Sequence, residues 1–504
     1  MRAAALALAG VAWLAAGCTQ PEAPMARAAP TVLLPVPSDP TIALSVSFGV
    51  GSQDDPPDKE GLAYLTGEML ATAATERNAY EDIIDALYPI ASNYSITVDK
   101  EISTLTGRTH RDNIDVFFEL LADAYLRPAF DATDFERVKS DAINYLENTL
   151  RYASDEELGK AALTQAIFAG TPYAHPVQGT VAGLRNITLE DVAAFYARYY
   201  TAANVTLGLA GGYDAALVDR FEATRAALPQ GTAPPDPVID PPDWDGTEVV
   251  LVDKPAADAS ISLGFPLDLQ RGERDFYALW VANSWLGEHR NQAGRLFQVI
   301  RGARGLNYGN YSYLEAFPAG GQRMMPPVNV ARRHQIYEIW IRTLPNNQAH
   351  FALRAAIREL RELIAGGMTA EEFELTRAFL DKYVLHFAET TAERLGYAID
   401  DRFYGIADPG HLQRFRETLA ELTLDEVNAA LQRHLRYDNL KIAIVTGDAD
   451  RLRTALIANT ASPIEYESPK PPALLAEDAG IAEFALDIGP GQVTIVPVAE
   501  IFAR

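Results

Sequence analysis

Arg301 and Tyr308, seven positions apart, are the residues of this 504-residue chain whose types and spacing best suit chemistry. Residues 295–300 carry apolar side chains at helical spacing, and Gly302 and Gly305 are expected to end that helix. Apolar and aromatic residues beyond the glycines predict a strand that begins near Tyr308. A guanidinium and a phenol on two elements across a glycine turn can both donate to one acyl oxygen, as stabilising an oxyanion requires.

The alternative interpretation of this pair is structural. In that interpretation Arg301 pairs with a surface carboxylate, and Tyr308 is half-buried in a sheet. A third residue, Arg304, lies in the same glycine turn but outside the seven-residue spacing. We therefore expect Arg304 to contribute much less than Arg301 and Tyr308 to any chemistry at this turn.

An Arg followed by Gly-Leu, and by a Tyr seven residues after the Arg, resembles the second half of the M16 family of zinc peptidases. That family includes the insulinase, pitrilysin and mitochondrial processing peptidases. The stretch Asn283-Ser-Trp-Leu-Gly287 also resembles the family's Asn-x-x-Leu-Gly. The resemblance implies that Arg301 and Tyr308 contact a peptide substrate at the scissile bond, opposite a zinc ion.

The resemblance also shows where a zinc motif is expected, and the ligands are missing there. The family's first helix carries His-x-x-Glu-His, in which two histidines bind zinc and the glutamate activates water. In this chain Tyr64 and Glu68 stand at the histidine positions, and Gly67 stands at the position of the base. A gapless count places Tyr145 at the third ligand, with Glu147 close by. The bacterial type of subunit that lacks the zinc motif (M16B) is the nearest resemblance.

The residues at these positions cannot form the usual site. A tyrosine phenol titrates near pH 10 and is a poor zinc ligand at neutral pH. Glycine cannot act as a base, and the eight histidines form no His-x-x-Glu-His or His-x-x-x-His pair. We therefore predict that this chain binds no metal or other cofactor, and that zinc is held by a partner subunit.

An internal repeat predicts the fold. Thr188–Val192 recurs as Thr423–Val427, and Asn204–Gly212 recurs as Asn439–Gly447, both at an offset of 235 residues. Each copy predicts an N-capped helix followed by an apolar strand that ends in glycine. The sequence therefore indicates an α+β fold of two homologous units, each an antiparallel-rich sheet packed with helices. This is also the half-clam plan of M16 subunits.

The predicted boundaries follow the repeat and a Pro-rich stretch. The first α+β domain spans residues 31–230, and residues 231–247 form a linker rich in proline. The second domain spans residues 248–465, and residues 466–504 form a C-terminal extension.

The N-terminus predicts export. Residues 1–18 have the shape of a lipoprotein signal peptide that ends in Gly-Cys, and residues 19–30 form a Pro- and Ala-rich tether. Cys18 is the only cysteine, so lipidation explains it better than disulfide chemistry. Thr19 favours the outer membrane by resemblance to lipoprotein sorting rules. The alternative is ordinary cleavage by the general signal peptidase.

Composition excludes one class of partner. With 48% hydrophobic and 22% charged residues the chain is globular, and its net charge of −25 argues against binding to nucleic acid.

Two functions remain. The first is a non-zinc subunit of a heteromeric M16-type zinc metallopeptidase, acting on peptides in the envelope of a Gram-negative bacterium and anchored through Cys18. Its partner would be a His-x-x-Glu-His homologue. The second is a catalytically inactive homologue that serves as a scaffold or peptide-binding module. The pair Arg301 and Tyr308 distinguishes them, because a pure scaffold has no chemical reason to hold it. An independent zinc-free peptidase lacks any visible nucleophile–base arrangement.

Overall fold

The computed structural model of the chain describes residues 31–504, which fold into two units, each built on one β-sheet with helices packed around it. This confirms the predicted α+β class with two units. The predicted signal peptide and tether, including Cys18, lie outside the described residues. No helix within residues 31–504 is both long and apolar enough to cross a membrane.

The first unit contains a five-stranded sheet within the described range. Its strands are Val32–Pro35 (β1), Thr41–Phe48 (β2), Asn93–Val98 (β3), Ser103–His110 (β4) and Val205–Gly211 (β5). They lie in the order β1-β5-β2-β4-β3, with β1 parallel to β5 and the other neighbours antiparallel. Because β3 pairs only with β4, it leaves one edge of the sheet open.

The first unit contributes helices to both sheets. They are Leu62–Ala71 (α1), Tyr80–Leu87 (α2), Ile114–Leu126 (α3), Ala132–Asn144 (α4), Asp155–Ile167 (α5), Val181–Asn186 (α6), Leu189–Tyr199 (α7) and Ala215–Ala227 (α8). A π-helical segment, Tyr145–Ala153, continues α4. Residues 229–245, which include most of the predicted linker, form neither helix nor strand.

The second unit repeats the plan around another sheet. Its strands are Glu248–Asp253 (β6), Asp258–Leu267 (β7), Asn310–Tyr313 (β8), Gln335–Pro345 (β9), Lys441–Thr446 (β10) and Val493–Pro497 (β11), in the order β11-β6-β10-β7-β9-β8. Its helices are Arg274–Gly287 (α9), Ala349–Gly366 (α10), Ala370–Tyr383 (α11), Thr391–Tyr404 (α12), His411–Glu421 (α13), Leu424–His434 (α14), Ala449–Ile457 (α15) and Pro472–Ala482 (α16).

The repeat found in the sequence corresponds to matching elements. Helices α7 and α14 begin with capping boxes, in which Thr188 and Thr423 bond the third backbone N–H and an acid returns the bond. The strands that follow, β5 and β10, each lie antiparallel to the second strand of their unit and parallel to its first strand. The two units are therefore equivalent in structure as well as in sequence.

Each sheet is covered by a helix from the other unit. Helix α5 of the first unit packs on β7 and β10, and α12 of the second unit packs on β5 and β2. Gly208 in β5 shows how close this contact is. A Cβ atom there would lie 2.9 Å from Leu395 and from Ile399 of α12, closer than real Cβ atoms approach. The hydrophobic surface of each unit is thus buried only when both are folded.

Ion pairs cross the same boundary. Arg332 of the second unit donates to Asp99 of the first, with a second contact at 3.1 Å. Arg333 pairs with Glu101 at 2.7 Å. Lys100 lies between these acids, and burial, followed by repulsion from Arg332, lowers its pKa to about 7. Because each buried charge needs its partner from the other unit, these ion pairs hold the two units in one relative position.

Residues 466–504, predicted as an extension, join both units. Strand β11 adds to the second sheet in parallel with β6. The chain then reaches the first unit, where the guanidinium of Arg151 donates to the carbonyl oxygen of Ile501 at 2.7 Å. The carbonyl oxygen of Phe502 accepts from the N–H of Val181 at 3.0 Å. The segment therefore acts as a strap between the two units.

Removing Arg332 should destabilise the protein strongly. In Arg332→Ala the carboxylate of Asp99 stays buried without its cation, and we expect the free energy of unfolding to fall by about 3–5 kcal/mol. Urea unfolding followed by circular dichroism measures the change. Arg274→Ala is the matched control, because its ion pair with Glu426 is exposed and should contribute about 0–1 kcal/mol. Equal effects of the two substitutions would contradict the role given to the buried pair.

Candidate functional site

Arg301 lies near the end of a π-helical segment, Phe297–Gly302, as the glycines predicted. The helix stops because Gly305 takes a left-handed conformation, with φ of +71°, which glycine adopts without strain. Its N–H donates to the carbonyl oxygen of Arg301 at 2.8 Å, and the N–H of Leu306 donates to that of Ile300 at 3.2 Å. The turn is thus closed by its own backbone.

Tyr308 lies in the turn just before a strand, close to the predicted start of that strand. Strand β8 begins two residues later, at Asn310. The side chains of Asn307 and Asn310 exchange hydrogen bonds at 2.8 and 2.9 Å, and the Asn307 amide also donates to the carbonyl oxygen of Arg342 in β9 at 3.0 Å. These bonds hold the turn against the sheet and direct Tyr308 outward.

Arg301 and Tyr308 lie side by side on the surface. The guanidinium carbon of Arg301 is 5.8 Å from the centre of the Tyr308 ring, and Tyr308 is 78% exposed. Within residues 31–504 neither side chain forms a hydrogen bond or an ion pair, so the surface carboxylate and the half-buried ring of the structural interpretation are not found. Both groups keep their donors available.

Arg304 has a structural role that the sequence did not reveal. Its side chain is buried and donates to Asp478 at 2.7 Å and to Glu477 at 3.0 Å, both in α16, and to the carbonyl oxygen of Val299 at 2.8 Å. These bonds attach the π-helical segment to the C-terminal strap. No local pattern reveals the pairing, because the partners are more than 170 residues away in sequence.

The positions of the missing zinc motif are brought together at α1 and the end of α4. Burial raises the pKa of Tyr64 above its usual range, and the nearby Glu68 and Tyr145 raise it further. Gly67 faces β3, and a Cβ there would lie 2.5 Å from a methyl group of Val98. The close approach of helix and strand therefore explains the glycine at the position of the base.

The acids around these positions do not form a metal site. Glu147 lies on the surface and pairs with Arg185 at 3.0 Å. Glu68 is half-buried, and burial raises its pKa to about 7 despite the nearby Arg137. Among residues 31–504, no three His, Cys, Asp or Glu side chains lie close enough together to hold a metal ion.

We expect the purified chain to carry far less than one zinc ion per molecule, because a phenol is a poor zinc ligand at neutral pH and no histidine stands at these positions. Metal analysis by plasma mass spectrometry after dialysis against a weak chelator measures the content. Stoichiometric zinc that is lost in the double variant Tyr64→Phe, Glu68→Gln would show that these positions do bind metal.

Arg304→Ala should lower the unfolding temperature by roughly 3–5 °C, since it leaves the carboxylate of Asp478 buried without its cation. Arg301→Ala should change it by no more than about 1 °C, because Arg301 is unpaired. Differential scanning calorimetry compares the two variants. A stable Arg304→Ala variant would refute the structural role of Arg304.

Proteins of known sequence resemble this chain along most of its length. A Bacillus subtilis protein described as the uncharacterised zinc protease YmxG is 23% identical over 284 residues, which are 56% of this chain and 66% of that protein. A Helicobacter pylori protein described as the non-peptidase homolog YmxG is 24% identical over 409 residues, covering 79% of this chain and 87% of that protein.

Solved structures share the fold. The peptidase M16 inactive domain from Pseudomonas fluorescens superposes with a TM-score of 0.71 at 23% identity, covering 82% of this chain and 94% of that one. A Helicobacter pylori protease superposes with a TM-score of 0.70 at 15% identity, covering 82% of this chain and 96% of that one.

The family models match both units. Residues 31–181 match the model of insulinase (peptidase family M16), and residues 186–380 match that of the peptidase M16 inactive domain. Together with the two-unit fold and the residues at the zinc-motif positions, these matches show that the chain is a member of the M16 peptidase family that lacks the zinc motif.

Proposed function

We propose that this chain is the non-zinc subunit of a heteromeric M16-type metallopeptidase. The observation that carries the proposal is the pair of unengaged donors, Arg301 and Tyr308, side by side on the surface. The zinc and the general base belong to a partner subunit with His-x-x-Glu-His. This chain contributes the groups that face the substrate from the other side.

The pair suits the chemistry of peptide-bond cleavage. Negative charge develops on the carbonyl oxygen as the bond is attacked, and donors that are already in place stabilise it. Arg301 offers a permanent positive charge with several N–H donors, and Tyr308 offers one hydroxyl. Two donors of different length on one face can follow the oxygen as it changes from planar to tetrahedral geometry.

The exposure of the pair supports a second subunit. A donor in water gains little from a developing charge, because water competes with it and screens it. Tyr308 is 78% exposed in this chain, so the chain alone does not exclude water from the pair. A facing subunit that encloses the peptide would lower the local polarity and strengthen both hydrogen bonds.

The proposed place of action is the envelope of a Gram-negative bacterium. This rests on the sequence of residues 1–18 and on the lone Cys18, which resembles a lipidation site. A lipid on Cys18 would hold the peptidase at the outer membrane, with the described units in the periplasm.

A scaffold or peptide-binding module without catalytic contribution is the second candidate. It is favoured by the relative described as a non-peptidase homolog and by the residues at positions 64, 67 and 68. A scaffold, however, gives no reason for a tyrosine and an arginine to lie together unpaired at the surface.

Tyr308→Phe and Arg301→Ala should each lower the turnover of the reconstituted pair by about 100- to 1,000-fold, as expected for loss of one preorganised donor. Tyr308→Phe should leave folding, assembly and the zinc content of the partner intact, because it deletes a single hydroxyl group. Turnover of a quenched fluorescent peptide by the mixed subunits measures the effect.

Two matched controls remove the same groups elsewhere. Tyr437→Phe deletes a partly exposed phenol, and Arg453→Ala deletes an exposed guanidinium on α15, and neither should change turnover more than about twofold. If Tyr308→Phe and Arg301→Ala also left the turnover of an active complex unchanged, the scaffold function would be correct.

A further inference from the structure

A cavity of about 300 Å³ opens beside the zinc-motif positions, between α1, α2 and the free edge of β3. This volume is at the lower end of the range for ligand pockets. Most of its wall is apolar or aromatic, with Tyr80, Ile83 and Leu87 on one side and Tyr94 and Ile96 on the strand. The cavity therefore accommodates a long side chain with an apolar stem.

The wall also contains one carboxyl group, that of Glu68. Within residues 31–504 this carboxyl group has no hydrogen bond and no ion pair. The nearest cation, Arg137, is already engaged, since it pairs with Asp134 at 2.9 Å and donates to the carbonyl oxygen of Thr72. A half-buried acid without a partner is costly, and a positive ligand group would offset that cost.

We propose that this cavity binds the side chain of a lysine or arginine from an extended peptide, with Glu68 as the counter-ion. The proposal rests on the proposed function in one respect, namely that the ligand of this chain is a peptide. In this proposal, the position that holds a zinc ligand in active relatives has become a subsite for a basic residue.

The strand beside the cavity fits an extended ligand. Because β3 pairs only with β4, its outer N–H and C=O groups are free to bond a peptide backbone. Side chains of an added strand point alternately to the two faces of the sheet, so every second one can enter a pocket on the helical face. The aliphatic stem would pack on Ile83 and Ile96, and the charged head would reach Glu68.

The pKa of Glu68 is consistent with this role. Burial raises it to about 7, so the empty site is partly protonated at neutral pH. The groups around it are Tyr64 on the same helix, Tyr145 and Asp141 near Tyr64, and Arg137 on α4. Of these only Arg137 is positive, and Asp134 neutralises it, so the surroundings favour a cation.

The test uses an acetylated, amidated seven-residue peptide of alternating valine and threonine with a central lysine and a fluorescent label. Its counterpart carries norleucine in place of lysine, which keeps the stem and removes the charge. Fluorescence anisotropy with the purified chain measures both affinities at about 0.15 M salt, where long-range attraction to the acidic chain is screened. We expect the lysine peptide to bind about 10- to 100-fold more tightly.

Variants assign that preference to one residue. Glu68→Gln keeps the size of the side chain and should reduce the preference for lysine to less than about twofold, while circular dichroism shows the fold unchanged. Glu81→Gln removes the same charge from an exposed position on α2 and should leave the preference intact. It therefore controls for the net charge of −25.

Three results would overturn the proposal: equal binding of the lysine and norleucine peptides, a preference that survives Glu68→Gln, or no binding of either peptide. Each of these leaves the proposed function standing, because that function is judged by the turnover of Tyr308→Phe and Arg301→Ala in the reconstituted pair. Conversely, unchanged turnover in those two variants would refute the catalytic role. The basic subsite would then be a property of a peptide-binding module.

Discussion

The exchange of helices between the units is the constraint on which the rest of the structure depends. Helix α5 closes the second sheet and α12 closes the first, so neither hydrophobic core is complete within its own unit. The absence of a side chain at Gly208 lets α12 lie against β5. The ion pairs of Arg332 and Arg333 with acids of the first unit fix the orientation of one unit relative to the other. The zinc-motif helix α1 and the Arg301 turn are therefore held in one frame, although they belong to different units.

The two halves of the molecule have diverged around this shared frame. In the first unit Gly67 lets α1 approach β3, and the position that could carry a base is filled by the sheet. In the second unit the turn before β8 is held by its own backbone and by Asn307 and Asn310, which leaves Tyr308 exposed. The first half lacks the zinc ligands of the family motif, whereas the second half keeps Arg301 and Tyr308 side by side at its surface.

Local patterns made part of this structure predictable. The threonine caps of α7 and α14 and the glycine stop after Arg301 can be recognised in short stretches of sequence, because hydrogen bonds within one turn produce them. The repeat was found by comparing two distant segments of the sequence. The residues at the zinc-motif positions could likewise be located by counting from α1. Their clustering then follows from the fold that the two-unit repeat predicted.

Other features could not be predicted because they depend on partners far away in the sequence. Arg304 lies in the glycine turn, yet its acidic partners lie in α16, beyond the predicted boundary between the second domain and the C-terminal extension. The exposure of Tyr308 depends on where β8 starts pairing with β9, which the alternation of aromatic residues does not reveal. The cavity beside Glu68 exists only because three elements leave a gap between them.

The C-terminal strap also determines the order in which parts of this protein can complete their folding. The carbonyl oxygen of Ile501 meets Arg151 across 350 residues of chain, and Phe502 lies in the core of the first unit. The first unit is synthesised first, but part of its hydrophobic surface stays uncovered until the C-terminal residues have been synthesised. Until the C-terminal segment has been made, this uncovered hydrophobic surface exposes the chain to aggregation.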